Sequence, residues 1–386
     1  MADDILITQE STVVVPKIKV VGVGGGGSNA VSRMYRDRIT DVEYIVVNTD
    51  LQALIRSDVP VRLQVGAKTA KGLGAGGDPD KGRECAEESR EGLKKILEGS
   101  DMVFIASGMG GGSGTGGAPI LAEVAKEIGA LTVGVVTKPF GFEGLRRMRT
   151  AEAGIAALKD KVDTLIIIPN DRLLVICDPN VTMEAGFRMA DDILRHGVQS
   201  IVELITTAGE INVDFADIRA VMGKAGPAWM AIGHGAGEHR AIEAAENAIN
   251  SPLLEVSLEG AKGILFNITG GTDLTVSEVH SAAEVISKVA HPDANIFFGM
   301  VNDKTIENEV TLTLIATGFP QTEETTDLAD GANELQATLV DQTSLDLPPF
   351  LRHHPAARRR LKGDGPSPMA RPAAPAEPSK VKQVAD

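Results

Sequence analysis

The chain has 386 residues, 43% of them hydrophobic, a mean hydropathy of +0.02 and a formal net charge of -15. That length suffices for two ordinary cores and a tail, and the acidic balance excludes a broad nucleic-acid surface, which needs a basic patch to neutralise phosphates. The 42 glycines gather at a few loops instead of following a collagen-like period, so they mark close backbone approaches.

The N-terminus, MADDILITQESTVVVPK, has no basic region followed by an apolar core, and no stretch approaches about 18 uninterrupted apolar residues. The sequence reads as cytoplasmic, neither secreted nor membrane-spanning. From Lys17 to about Pro169, the apolar runs IKVVGV, EYIVVN, VPVRLQV, DMVFIAS, LTVGVVT and DTLIIIP alternate with helical patterns. Continuous apolar strands separated by helices predict an α/β fold of Rossmann-like type, with a parallel sheet covered on both faces and a ligand site at the carboxyl ends of the strands. A long helix is expected from about Val181 to Thr206, where Phe187, Ala190, Leu194, Val198, Ile201 and Ile205 recur at three- and four-residue spacing. A smaller α/β unit follows from about Ile211 to Gly318: two helical patterns, ILFNIT, a helix over Val276 to Val289, NIFFGMV and VTLTLIA. Residues 318–344 hold six acidic residues and no Lys or Arg, as a solvated linker does; residues 345–386 carry eight basic residues, four acidic ones and eight prolines. Cys85 and Cys177 have no His or Cys neighbours at metal-ligand spacing and read as buried, reduced side chains.

The first strand runs into Gly22-Val23-Gly24-Gly25-Gly26-Gly27-Ser28-Asn29, followed by the helical pattern AVSRMYRD. Glycines at a strand-to-helix turn let backbone N–H groups reach a phosphate at the positive end of the helix dipole. The run also satisfies G-x-G-x-x-G, with Asp41, Glu43 or Asp50 near the position of a ribose-binding acid, so a dinucleotide site, another phosphate site and a tight structural turn all stay open here. A second run, Gly108-Met109-Gly110-Gly111-Gly112-Ser113-Gly114-Thr115-Gly116-Gly117, leads from strand DMVFIAS into a helix expected over Ala118 to Ile128. Two glycine-rich helix entrances on one sheet edge suit a phosphate chain held from two sides. G-x-x-x-x-G-K-[ST] is absent, which excludes a P-loop.

Gly110 to Gly116, GGGSGTG, resembles the tubulin/FtsZ signature GGGTGTG, with Ser113 where the family usually has Thr. GVGGGGSNAV resembles the family's first nucleotide loop and Gly72-Leu73-Gly74-Ala75-Gly76-Gly77 its γ-phosphate loop, in family order from about Lys17 to Gly318. The resemblance implies a GTPase that binds GTP or GDP through Gly25, Gly26, Gly27, Ser28, Asn29, Ala75, Gly76, Gly112, Ser113, Gly114, Thr115 and Gly116, with Mg2+ arriving on the nucleotide. By the same matching Asp191 accepts from guanine, Phe187 stacks on the base, Asn29 and Asn170 contact it, and Glu143 and Arg147 lie on the ribose and phosphate side. It further implies that Asn212, Asp214 and Asp217 polarise the attacking water, although acids opening a helical pattern also serve as caps. Roughly 15 helical residues separate Asp191 from Thr206, on the order of 22 Å at 1.5 Å per residue. Asp214 then cannot easily reach its own nucleotide and would serve a neighbouring subunit, a heterologous contact that generates a filament.

Leu345-Asp346-Leu347-Pro348-Pro349-Phe350-Leu351-Arg352 resembles the family's C-terminal docking peptide for membrane tethers and regulators, making any membrane contact indirect, and 34 residues follow it. The expected organisation is a flexible segment 1–16, a GTP-binding domain 17–180, a connecting helix 181–210, a C-terminal α/β domain 211–318, a linker 319–344 and a disordered tail 345–386. The expected role is a head-to-tail homopolymer at the division site. The alternative, from another class, is an NAD-dependent oxidoreductase, which leaves GGGSGTG and the NVDFAD segment without an account.

Overall fold

The computed structural model describes residues 16–319 except 38, 40, 177–180, 207–212, 255 and 304–305. Asn212, Cys177 and the 345–352 peptide lie outside the described residues.

Six parallel strands form the first part of the sheet: β1 (Ile18–Val23), β2 (Val42–Asn48), β3 (Val61–Gln64), β4 (Met102–Gly108), β5 (Leu131–Lys138) and β6 (Thr164–Pro169), in the order β3-β2-β1-β4-β5-β6. Every residue of β1 is buried, and so are nearly all of β4 and β5, as their unbroken apolar runs require. On one face, α1 (Gly24–Arg36) and α2 (Leu51–Arg56) pack with the 24-residue helix α8 (Met183–Thr206). The other face is covered by α3 (Pro79–Glu88), α4 (Arg90–Leu97), α5 (Ser113–Glu127) and α6 (Leu145–Lys159), while the short α7 (Asn170–Ile176) leads from β6 towards α8. Ala190, Leu194, Val198 and Ile201 of α8 are buried at the spacing read from the sequence.

After α9 (Phe215–Met222) the chain forms an eleven-residue strand, β7 (Gly226–Ala236), which the sequence reading did not anticipate. Its glycines and Pro227 disguise it. Gly233 and Gly235 lie against α10 (Arg240–Ile249), where a β-carbon would stand 1.9 Å from the Ala244 carbonyl oxygen or 2.0 Å from that of Arg240, so only glycine admits the helix this close. β7 joins β6 in parallel over three residue pairs and β10 (Glu309–Thr317) antiparallel over eight. With β8 (Gly263–Gly270) and β9 (Asn295–Asn302) the result is one mixed ten-strand sheet, ending β6-β7-β10-β8-β9, with α10 and α11 (Val276–Val289) over a third core. Gln199 Nε2 and Asn267 Nδ2 each donate to the Glu203 carboxylate, at 2.6 and 3.0 Å, tying α8 to β8.

Candidate functional site

The glycine runs do not precede their helices but form the first turns. α1 begins at Gly24, not at Ala30, and α5 at Ser113, not at Ala118. Neither helix has an acidic residue in its first turn or a side-chain cap on its leading N–H groups, so both present bare amides and a positive dipole end at the carboxyl edge of the sheet. The tight approaches fix which positions tolerate no side chain. A β-carbon on Gly27 would stand 2.1 Å from the Ala106 oxygen, and one on Gly24, at φ +71°, 2.7 Å from the Gly114 nitrogen. Gly112 and Gly116 are pressed against Ala75 and the Pro79 carbonyl, whereas Gly25, Gly76 and Gly111 face open space. The 24–29, 72–78 and 110–116 segments therefore meet around one opening.

Side chains close the remaining contacts. Ser113 Oγ lies 2.5 Å from Thr49 Oγ1, and Thr115 Oγ1 accepts from the Gly110 N–H at 2.9 Å, which braces the loop and leaves its O–H as a donor. Glu143 Oε1 accepts from Phe140 N at 2.8 Å, and its carboxylate pairs with Arg147 at 3.0 Å. Arg147 in turn lies over Gly110. Gly141 N donates to Asp171 at 2.8 Å, bringing the 140–145 segment against α7.

Asn170, the first residue of α7, and Ser28 in α1 are both buried, and Asn170 Oδ1 and Ser28 Oγ have no hydrogen-bond partner. Buried polar atoms without partners are costly in a finished structure, which suits a place kept for a ligand. Phe187, 40% exposed, meets Phe140 edge to face with centroids 5.4 Å apart. One helical turn on, Asp191 Oδ2 lies 3.2 Å from Arg33 Nε of α1. Burial pushes the Asp191 carboxyl up to about 6, against the opposing pull of Arg33. Sequence reasoning missed Arg33, although it stands four residues after Asn29 on the same helical face.

The acidic segment lies elsewhere. Asp214 is the N-cap residue of α9 but makes no capping bond with its side chain, whereas Asp217 sits in the first turn, where its charge complements the helix dipole. α9 is anchored at the amino edge of the parallel sheet: Arg219 donates to the Gly129 oxygen before β5 at 2.9 Å, and Gly226 N donates to Asp163 O before β6 at 2.9 Å. Eight-residue β5 spans about 26 Å between that edge and the glycine loops. Two of the three acids that a dinucleotide site could use have partners in the protein: Asp50 Oδ1 caps α2 through Gln52 N at 2.8 Å, and Glu43 pairs with Lys19 at 3.3 Å.

A parallel sheet with two bare glycine-rich helix entrances on its carboxyl edge, a buried carboxylate on a long adjoining helix and a second α/β unit beyond it has the features of a nucleotide-binding α/β protein. Residues 17–178 match the Tubulin/FtsZ family GTPase domain and residues 226–320 the FtsZ family C-terminal domain. The chain belongs to the FtsZ family. It is 46% identical to M. jannaschii FtsZ solved as an empty dimer, with a TM-score of 0.77 over 79% of this chain and 89% of that one. A mutant of the same M. jannaschii protein gives the same identity and TM-score, with 92% of its chain covered. CetZ2 from Haloferax volcanii, solved as a GTPγS-bound protofilament, shares the fold at 21% identity, with a TM-score of 0.68 over 85% of this chain and all of that one. Among the described residues no helix is long and apolar enough to cross a membrane.

Proposed function

We propose that this GTPase binds GTP at the carboxyl edge of its sheet and completes hydrolysis between two subunits stacked head to tail, in a filament that serves cell division. The single observation that carries the reading is the separation of the glycine loops from Asp214 and Asp217, on opposite edges of one sheet. Phosphoryl transfer to water is chiefly positioning and charge stabilisation, so carboxylates brought up by a neighbour and a cation on the phosphates suffice. With no acid in the first turn of α1 or α5, Mg2+ would be held by phosphate oxygens and water. Asp191 would accept from the two guanine donors, N1–H and the 2-amino group, and Phe187 would lie against the base. M. jannaschii FtsZ was solved as a dimer and CetZ2 as a protofilament, which supports self-association.

The carboxyl edge also carries exposed apolar side chains, Phe142, Leu145, Leu174, Val175, Ile176 and Met183, of the kind that a second copy covers. The domain limits drawn from sequence, GTP-binding unit 17–180, connecting helix 181–210 and C-terminal unit 211–318, remain part of this reading, as do Asn212 beside the two aspartates and a docking role for residues 345–352. The test is the Asp214→Ala variant: GTP affinity is expected to match the parent while phosphate release falls to background. Turnover at the parental rate would remove the acidic segment from the chemistry.

A further inference from the structure

Ala30 and Met34 of α1 and Leu194 of α8 are buried in one core, which holds the two helices together at the level where Arg33 of α1 meets Asp191 of α8. Only Arg33 Nε takes part in the ion pair, 3.2 Å from Asp191 Oδ2. Asp191 Oδ1 has no hydrogen-bond partner among the described residues, so a carboxylate with about four lone-pair sites gives one to the guanidinium and keeps the others.

The remaining charges around Asp191 have other engagements. On α8, Arg188 pairs with Glu184 at 2.5 Å, and Arg195 with Asp37 at the end of α1 at 3.2 Å. On α7, which packs on α8 through Leu173 and Ala190, Asp171 accepts from Gly141 N and Arg172 is exposed. Arg33 favours the ionised carboxyl; burial and the neighbouring Asp192 oppose it.

We propose that Arg33 is a positioning residue for base recognition: from outside the guanine contacts it holds Asp191 ionised with one oxygen left for the base, and so sets the lower pH limit of GTP binding. That role rests on the reading of Asp191 as the guanine acceptor. An ionised carboxylate accepts from N1–H and the 2-amino group together, whereas a protonated one turns a donor towards donors. Without the guanidinium, burial and Asp192 act unopposed and the proton stays on Asp191 to higher pH.

The test is GTP affinity across the pH range, read by titration of a fluorescent guanine nucleotide into the full chain. Arg33→Gln is expected to move the midpoint of the profile up by about one pH unit, which weakens binding about fivefold at about pH 6 and restores the parental affinity by about pH 9. Arg33→Lys, which retains the charge, is expected to keep the parental midpoint. In an Asp191→Asn background, Arg33→Gln is expected to cost nothing further. An equal loss at every pH would make Arg33 a packing residue, and an unmoved midpoint or a further loss in the double variant would remove the link to Asp191. If Asp191→Asn alone binds GTP like the parent, the guanine reading falls instead; NMR titration of the Asp191 carboxyl carbon in the unliganded parent and Arg33→Gln chains then decides whether Arg33 governs that carboxyl, which an equal or lower midpoint in the variant overturns.

Discussion

At the residue scale the most informative group is Asp191. Its carboxyl is raised to about 6 because burial disfavours the charge more than Arg33 restores it. Guanine needs the ionised form, since a protonated carboxyl offers one acceptor fewer and a donor that meets donors. GTP affinity is therefore expected to fall as pH drops through about 6, while the unliganded fold, which binds this proton more tightly than the unfolded chain does, gains relative stability over the same descent. Asp191→Asn should weaken GTP binding by about tenfold to a hundredfold and flatten that pH profile, as read by titration of a fluorescent guanine nucleotide. An unchanged profile would assign the base contact to another group. Thr115 shows what single letters conceal: within the signature GGGSGTG its hydroxyl accepts from the Gly110 amide and so shapes the loop, while its O–H is still a donor. A one-dimensional motif shows the residue and not the bond that positions it.

At the element scale the strands of the parallel sheet, α8 and α11 were legible because each buries a continuous or periodic apolar set large enough to outweigh local propensity. β7 was not, because its glycines serve a neighbouring helix, information that lies in α10 and not in the strand. The starts of α1 and α5 were misread for a related reason: glycine is a poor helix former, and here the first turn is held by contacts with β4, α3 and the 72–78 segment. The C-terminal elements depend on a different device. Arg240, 4% exposed, pairs with Asp273 and with Glu278, whose carboxyl its hydrogen bond holds down at about 2. Removing it in Arg240→Ala leaves the partly buried Glu278 carboxylate and the exposed Asp273 unpaired and is expected to cost about 2 kcal/mol, measured by denaturant unfolding. Because the Glu278 value is depressed, that stabilisation is present above about 4.5 and fades as pH falls towards 2, so parent and variant should converge in acid. A constant gap between them down to pH 2 would place the effect in packing alone.

For the whole molecule, the proposed reading puts the glycine loops and the two aspartates on opposite edges, and activity is then expected to be a property of contact between copies. Phosphate released per subunit is expected to rise with protein concentration above a threshold. Leu145→Glu, which puts a charge on a side chain 76% exposed at the carboxyl edge, should raise that threshold with GTP affinity intact. Flat specific activity on dilution would mean that each copy works alone. Deleting residues 345–386 should leave turnover unchanged and abolish localisation at the division site in cells; retained localisation would remove the docking role.

One seam in this architecture has a mechanical meaning. β7 is stitched to β10 along eight residue pairs but to β6 along only three. In a stack of copies, a pull along the axis would run down β5 and β6, from the glycine loops at their carboxyl ends to α9 at their amino ends, and would leave the short seam to one side. The C-terminal strands hang from the rest of the sheet by those three pairs, so a bending load that twists them has the least ladder to work against there.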